Sequence, residues 1–348
     1  MTARLLYTSP SLRNAGRANL LLKAITATPS LAPLVLSISL PCSTHQDPGH
    51  PSSLLALLEH TRPHALELGS TLLAKHGEAS RKLLQVLEQR KYELTSWAYG
   101  FVGGSTLGVT LPLLQQFARL TSLSLVNVSI GATPATAPPP YQLRAAAFSR
   151  IAHLDPATLD WLLGQPARLR VLALDQVSLD CTSSDLHDTL ARHIPDLRWL
   201  TLREVDCALD SLARVHLYER TWNLNPLLAL TPHLVDLTFG DQLASAVVPG
   251  PDVVARALEP LRLPPRLKRL ELRGRWMYCW LRIGEMLAAA ERGYGEEDGD
   301  GKREERAGLE DLRLVGPFLS DMPLKRLMGE CGRQGIRLEV RRSFSSPA

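Results

Sequence analysis

The sequence predicts an α/β fold, a solenoid of repeated strand, turn and helix units, on three observations. A leucine pattern recurs along the chain at short intervals, and helical periodicity fills the stretches between its copies. Aromatic residues are scarce, at 5%, whereas leucine is abundant throughout, a balance that suits stacked aliphatic layers. A chain of 348 residues has ample material for a large core.

Leu-x-x-Leu-x-Leu stands unsubstituted at Leu120-Leu123-Leu125, Leu169-Leu172-Leu174, Leu197-Leu200-Leu202, Leu267-Leu270-Leu272 and Leu309-Leu312-Leu314. Leu234-Leu237-Phe239 differs by one aromatic. Weaker copies are Ile38-Ser-Leu40, Leu66-Glu-Leu68, Leu143-x-x-Ala146-x-Phe148 and Ile336-x-Leu338-x-Val340, with a degenerate one at Leu94-x-x-Trp97-x-Tyr99. The last positions are spaced by 28, 31, 26, 23, 26, 28, 37, 33, 42 and 26 residues. Most steps lie near the roughly 20–29 residues of a leucine-rich repeat, with three larger insertions. Alternation puts both leucines of Leu-x-Leu on one face of a short strand. A single such strand cannot bury its apolar face, but stacked parallel copies make a continuous core.

The segments between strands read as helices. Residues 52–60, 78–91, 184–193, 252–261 and 323–331 show apolar residues at three- and four-residue spacing, and 155–163 opens with an Asp and a Pro in its first turn. Residues 14–28 form a further helix that caps the first strand. Several strand entries follow a proline, as at Pro195-Asp-Leu197, Pro232-His-Leu234 and Pro265-Arg-Leu267. One solenoid of about eleven repeats is expected over 1–342, a horseshoe with parallel concave strands and convex helices, ending in a flexible tail at 343–348. Residues 131–140, rich in Pro and Ala, and 291–308, dense in charge and glycine, read as insertions.

The formal charge of +4 sits at the start of the chain. Arg4, Arg13, Arg17 and Lys23 precede the first acid, Asp47, and the remaining residues balance at 35 basic against 35 acidic. A neutral body lacks the basic stripe that nucleic acid requires, so nucleic-acid binding is not expected. No stretch approaches the roughly 20 apolar residues of a membrane span. Cys42, Cys181, Cys207, Cys279 and Cys331 are dispersed, without a CxxC pair, and read as reduced thiols of a cytoplasmic or nuclear protein. The acid-free, arginine-bearing start leaves a mitochondrial presequence as the alternative.

No constellation with catalytic logic emerges, and no catalytic, cofactor or metal residues are assigned. The run Gly100-Phe-Val-Gly103-Gly104-Ser105-Thr-Leu-Gly108 is neither G-x-S-x-G nor a phosphate loop. Glu296–Ala307 imitates a calcium loop, but Glu stands for the first Asp and Ala307 stands where a bidentate Glu belongs. His187 and His193, near Asp185 and Asp188, lie six positions apart and diverge on a helix. A binding scaffold rather than an enzyme is expected.

Residues between the core leucines would line the concave face. The earlier strands contribute Ser122, Ser124, Val171 and Ala173, which are small and bland. Later strands add Asp175, Trp199, Thr201, Arg203, Asp236, Thr238, Arg269, Glu271, Arg273, Asp311 and Arg313. Trp and Arg carry much of the energy at protein interfaces, which makes this set the candidate partner surface; the charges could equally pair with one another. Trp276-Met-Tyr278-Cys-Trp280 is a second aromatic cluster, read as core packing or a protruding anchor.

Through LTSLSL, LRVLALDQV, LRWLTLREV, LVDLTF, LKRLELRG and LEDLRLVG, nearly the whole chain resembles leucine-rich-repeat proteins of the fungal F-box type. Residues 3–40, opening on ARLLY, are similar to the segment that follows an F-box in such proteins. The chain begins where that motif would be ending, either genuinely or because the gene start is misassigned. Val128, Val177 and Val205 occupy the Asn position of regular repeats, unlike GTPase-activating horseshoes. The resemblance implies substrate recruitment to a cullin-based ubiquitin ligase; the alternative is a free-standing scaffold unrelated to ubiquitin.

Overall fold

A computed structural model describes residues 7–12, 15–40, 50–68, 85–86, 94–100, 108–109, 114–115, 117–130, 139–165, 168–207, 225–240, 262–273, 287, 308–316 and 321–341. The chain divides into two compact units, Met1–Ala152 with Ala157–Pro166, and His153–Pro156 with Ala167–Ala348. Both are α/β, with parallel strands joined through helices.

In the first unit, helix α1 (Ala15–Ala27) and a short 3-10 helix (Pro29–Leu34) lead into strand β1 (Ser37–Leu40). There follow α2 (His50–His60), β2 (Ala65–Leu68), β3 (Ser96–Gly100), β4 (Gly108–Val109), β5 (Ser122–Val126), β6 (Ser129–Ile130), β7 (Ala145–Leu154) and α3 (Pro156–Leu163). The strand order is β1-β2-β3-β5-β7, and β4 pairs separately with β6. Pro10 and the bridge from Ser11 to Ser39 cover the outer edge of β1, which would otherwise present unpaired peptide groups.

In the second unit, β8 (Val171–Leu179) is followed by α4 (Ser183–Ala191), β9 (Trp199–Arg203) and β10 (Asp206–Cys207). Then come α5 (Asn225–Ala229), β11 (Asp236–Phe239), β12 (Arg269–Arg273), β13 (Asp311–Val315), α6 (Asp321–Arg333) and β14 (Arg337–Arg341). Their order is β8-β9-β11-β12-β13-β14, with β10 beside the far end of β8. Every strand read from the leucine pattern is present. The helix expected at 78–91, apart from its helical residues 85–86, the helix expected at 252–261, both insertions but for 139–140 and Gly308, the 343–348 tail and the 276–280 aromatic cluster lie outside the described residues.

The alternation does what a period of two requires. In β5 Leu123 and Leu125 are buried while Ser122 and Ser124 are half-exposed. Across the second unit the register aligns Leu172, Leu200, Leu237, Leu270 and Leu312 in one buried row. Leu174, Leu202, Phe239, Leu272 and Leu314 form the next. Fully burying a side chain of this size is worth about 1.5–3 kcal/mol, so these two rows are the main adhesive between strands.

A repeated hydrogen-bond device sets this register. The carbonyl just before each strand accepts two successive N–H groups from the next repeat: Arg170 O from Arg198 and Trp199, Arg198 O from Val235 and Asp236, Val235 O from Lys268 and Arg269. Lys268 O then accepts from Glu310 and Asp311. Ahead of the strands, a tight turn closes from Leu197 N to Ile194 O, Leu234 N to Thr231 O and Leu267 N to Pro264 O. The same turn runs from Leu120 N to Phe117 O in the first unit.

A second device lies just past the paired core positions, after the strand in β5 and β9 and within it in β7 and β8. Asn127, Arg150, Gln176 and Glu204 each sit two residues past the last core position and adopt positive φ, between 49° and 56°. This left-handed step turns the next residue inward, and Val128, Ile151, Val177 and Val205 are buried. Left-handed backbone costs a non-glycine residue roughly 1–2 kcal/mol, and only short polar side chains recover part of that locally. A β-branched side chain suits this region least, so Gln176→Val is expected to lose about 1–2 kcal/mol and Gln176→Gly to be tolerated, read as shifts of the urea midpoint.

Local chemistry explains α4. Thr182 caps it, its Oγ1 accepting from Asp185 N at 3.2 Å, while Asp185 accepts back from the Thr182 N–H at 2.9 Å. The Thr182 N–H and the Thr182 hydroxyl, the latter at 2.7 Å, both donate to the Asp185 carboxylate and hold it below its usual range. Asp185 is thus a capping residue, and His193 lies buried just beyond the helix. Cys181, Cys207 and Cys331 are buried and unbridged.

Candidate functional site

The candidate surface is the side of the second unit's strands that faces away from the leucine rows. Strand register arranges it in three rows. The first runs Val171, Trp199, Asp236, Arg269, Asp311, Arg337. The second runs Ala173, Thr201, Thr238, Glu271, Arg313, Glu339. The third holds Asp175, Arg203, Arg273, Val315 and Arg341. All eleven residues assigned from the later strands therefore share one face.

That face is an ionic lattice. Arg269 Nε stands 2.9 Å from Asp236, Arg313 Nε 3.0 Å from Glu339, and Arg273 Nε 2.5 Å from Glu271. Arg341 donates to the same Glu339 at 2.6 Å, and Arg203 Nε lies 3.4 Å from Asp175 Oδ1. Arg337 grips Asp311 through both Nε and Nη2, the latter at 2.9 Å. Such fork-to-carboxylate geometry needs guanidinium groups, and lysine would not reproduce it.

Arg337, Glu339 and Arg341 were not among the residues assigned from sequence. Their signal was present in the alternation Ile336-x-Leu338-x-Val340, whose intervening positions belong to the same rows. Asp311 occupies its expected row but is buried, with Arg337 over it. Trp199 is 38% exposed, the large aromatic that the described part of this face offers to solvent.

Two carboxylates of the first row respond oppositely to their surroundings. The hydrogen bond from Arg337 holds Asp311 below the ordinary carboxylate range. Desolvation pushes Asp236 upward, against the pull of Arg269. A depressed folded-state pKa contributes stability that is present above the unfolded value and lost as pH falls through the folded one. For Asp236 the sign reverses: its charged form is penalised at neutral pH, and the penalty is relieved as pH falls through its raised value. Asp311→Asn is therefore expected to lower the melting temperature at pH 7 and flatten its fall in acid. Asp236→Asn should leave it unchanged or raised at pH 7.

Of the residues weighed for chemistry elsewhere, most fall outside the described residues. Gly100 ends β3 and Gly108 starts β4, while 101–107, including Ser105, lie outside the described residues, as does 296–307. Among the described residues no group of three or more His, Cys, Asp or Glu side chains is placed to hold a metal ion. No helix among them is long and apolar enough to cross a membrane. The sequence matches no model of a known protein family, and no curated protein matches it.

Proposed function

We propose that this chain is a leucine-rich-repeat scaffold without enzymatic activity, and that the exposed strand face of its second unit binds a protein partner. The observation that carries the reading is Trp199, an exposed aromatic anchor set beside arginines already ordered by paired carboxylates. Aromatic and arginine side chains dominate binding energy at interfaces, and arginines fixed beforehand lose less entropy on association. The resemblance of the repeats to those of F-box proteins suggests that the partner is a substrate delivered to a ubiquitin ligase.

Quantitative co-purification of the full chain, wild type against Trp199→Ala, tests both levels. Identified partners should fall about tenfold or more with Trp199→Ala, as expected for an interface anchor. They should be kept by Leu20→Ala, a change at an exposed leucine of α1 in the other unit. A partner set unaffected by Trp199→Ala would remove the face from consideration. Cullin-complex subunits among the partners would support the ligase reading; their absence would leave a scaffold unrelated to ubiquitin.

A further inference from the structure

We propose that this face recognises an extended partner segment with an apolar side chain and, about four positions away, a carboxylate. The inference rests on the interface reading above and adds the chemistry of the partner. Trp199 and Arg203 lie on the same side of β9, four residues apart, which spans about 13 Å at roughly 3.3 Å per residue. An extended peptide has the same rise, so two of its side chains on one face, four positions apart, meet these two residues together.

The floor between them is small. Ala173, Thr201 and Thr238 are register partners on three adjacent strands and are half-exposed, so a backbone can approach closely. Beside Trp199, Val171 extends the apolar end. At the other end, Gly240 puts no side chain next to Arg203, where a Cβ would sit 3.5 Å from its Cγ.

The charge pattern selects an acid. The first row balances two carboxylates against two arginines, Asp236 and Asp311 against Arg269 and Arg337. The third row carries Arg203, Arg273 and Arg341 against Asp175; Glu271 and Glu339 of the second row pair with Arg273 and Arg341, but Glu339 also serves Arg313, so the two rows hold four arginines against three carboxylates. Among the described residues, Arg203 and Arg273 engage their carboxylates through Nε, which leaves the Nη donors for an incoming carboxylate. A nucleic-acid strand fits less well, since its phosphates would pass Glu271 and Glu339 in the neighbouring row.

The test pans the full chain with a phage-displayed random dodecapeptide library and measures fluorescein-labelled selected peptides by anisotropy. Enriched sequences should share Asp or Glu about four positions from a large apolar residue. Changing that acid to its amide should weaken binding about tenfold, as should Arg203→Gln with Arg273→Gln, and the two losses should not add. Because Arg203→Gln leaves Asp175 short of its counter-ion, the pair Asp175→Asn with Arg203→Gln is measured alongside, with melting curves for each variant. Enrichment of no peptide, or of peptides indifferent to the amide change, overturns the proposal. So does tighter binding of a fluorescein-labelled single-stranded RNA 20-mer through the same arginines. Binding lost with Trp199→Ala but kept by the arginine variants would sink this inference and leave the interface reading standing; indifference to both would sink the two together.

Discussion

Replacing Leu270 by alanine is expected to cost about 3–4 kcal/mol, seen as a large fall in the urea midpoint. Leu270 is 1% exposed and sits mid-row, with Leu237 on one side and Leu312 on the other. Neither neighbour can close over the gap without leaving its own strand's register, because the pairs from Val235 O and Lys268 O fix the backbone on both sides. The cost is therefore the lost transfer energy plus an unrelaxed cavity, which places it in the upper part of the usual range. Met328→Ala provides the contrast: Met328 is 56% exposed on α6, and its loss should change stability by less than about 0.5 kcal/mol. Equal effects from the two substitutions would mean that the leucine rows are not what holds the strands together.

Gly164→Ala should destabilise the first unit by about 2–4 kcal/mol, through backbone and packing together. Gly164 follows α3 with φ of +76°, and its N–H closes the helix end onto Asp160 and Trp161 carbonyls. An added Cβ would lie 3.0 Å from the Tyr141 ring and from the Tyr141 carbonyl oxygen. That ring cannot move aside. It is fully buried, packs edge-on against Trp161 at 6.4 Å, and its hydroxyl donates to Leu162 O at 3.1 Å. Burial also raises the Tyr141 pKa well above the ordinary phenol range, so the hydroxyl stays a donor. Gly335 separates the two contributions, since its φ is +69° but nothing lies within 4 Å of a Cβ there. Gly335→Ala should thus show the backbone cost alone, about 1–2 kcal/mol by melting or urea titration.

The strands were legible because their signal is local. Leu-x-Leu fixes which side of a strand is buried wherever it occurs, and even the degenerate Leu94-x-x-Trp97-x-Tyr99 buries its three named residues in the expected phase. The left-handed steps at Asn127, Arg150, Gln176 and Glu204 were not legible, because Arg, Gln and Glu carry no intrinsic preference for positive φ. Their regular offset from the last core residue appears only once the repeats are superposed in register. Gly164 likewise looks like an ordinary helix stop in sequence, and Tyr141, 23 positions away, makes it indispensable.

The candidate face divides the same way. By itself, the sequence determined the parallel α/β class and which side chains share the exposed side of each strand, since both follow from a period of two within five or six residues. Tertiary structure decided how those side chains meet. Arg269 finds Asp236 33 positions away, and Arg337 finds Asp311 at a distance of 26. Both pairings depend on the lengths of intervening segments and on the hydrogen-bonded register between strands. The same register buries Asp311, leaves Trp199 open to solvent, and gathers the surplus of arginine at one end of the face. Alternation along a strand is a property of the local backbone, whereas charge balance between strands exists only after they have stacked.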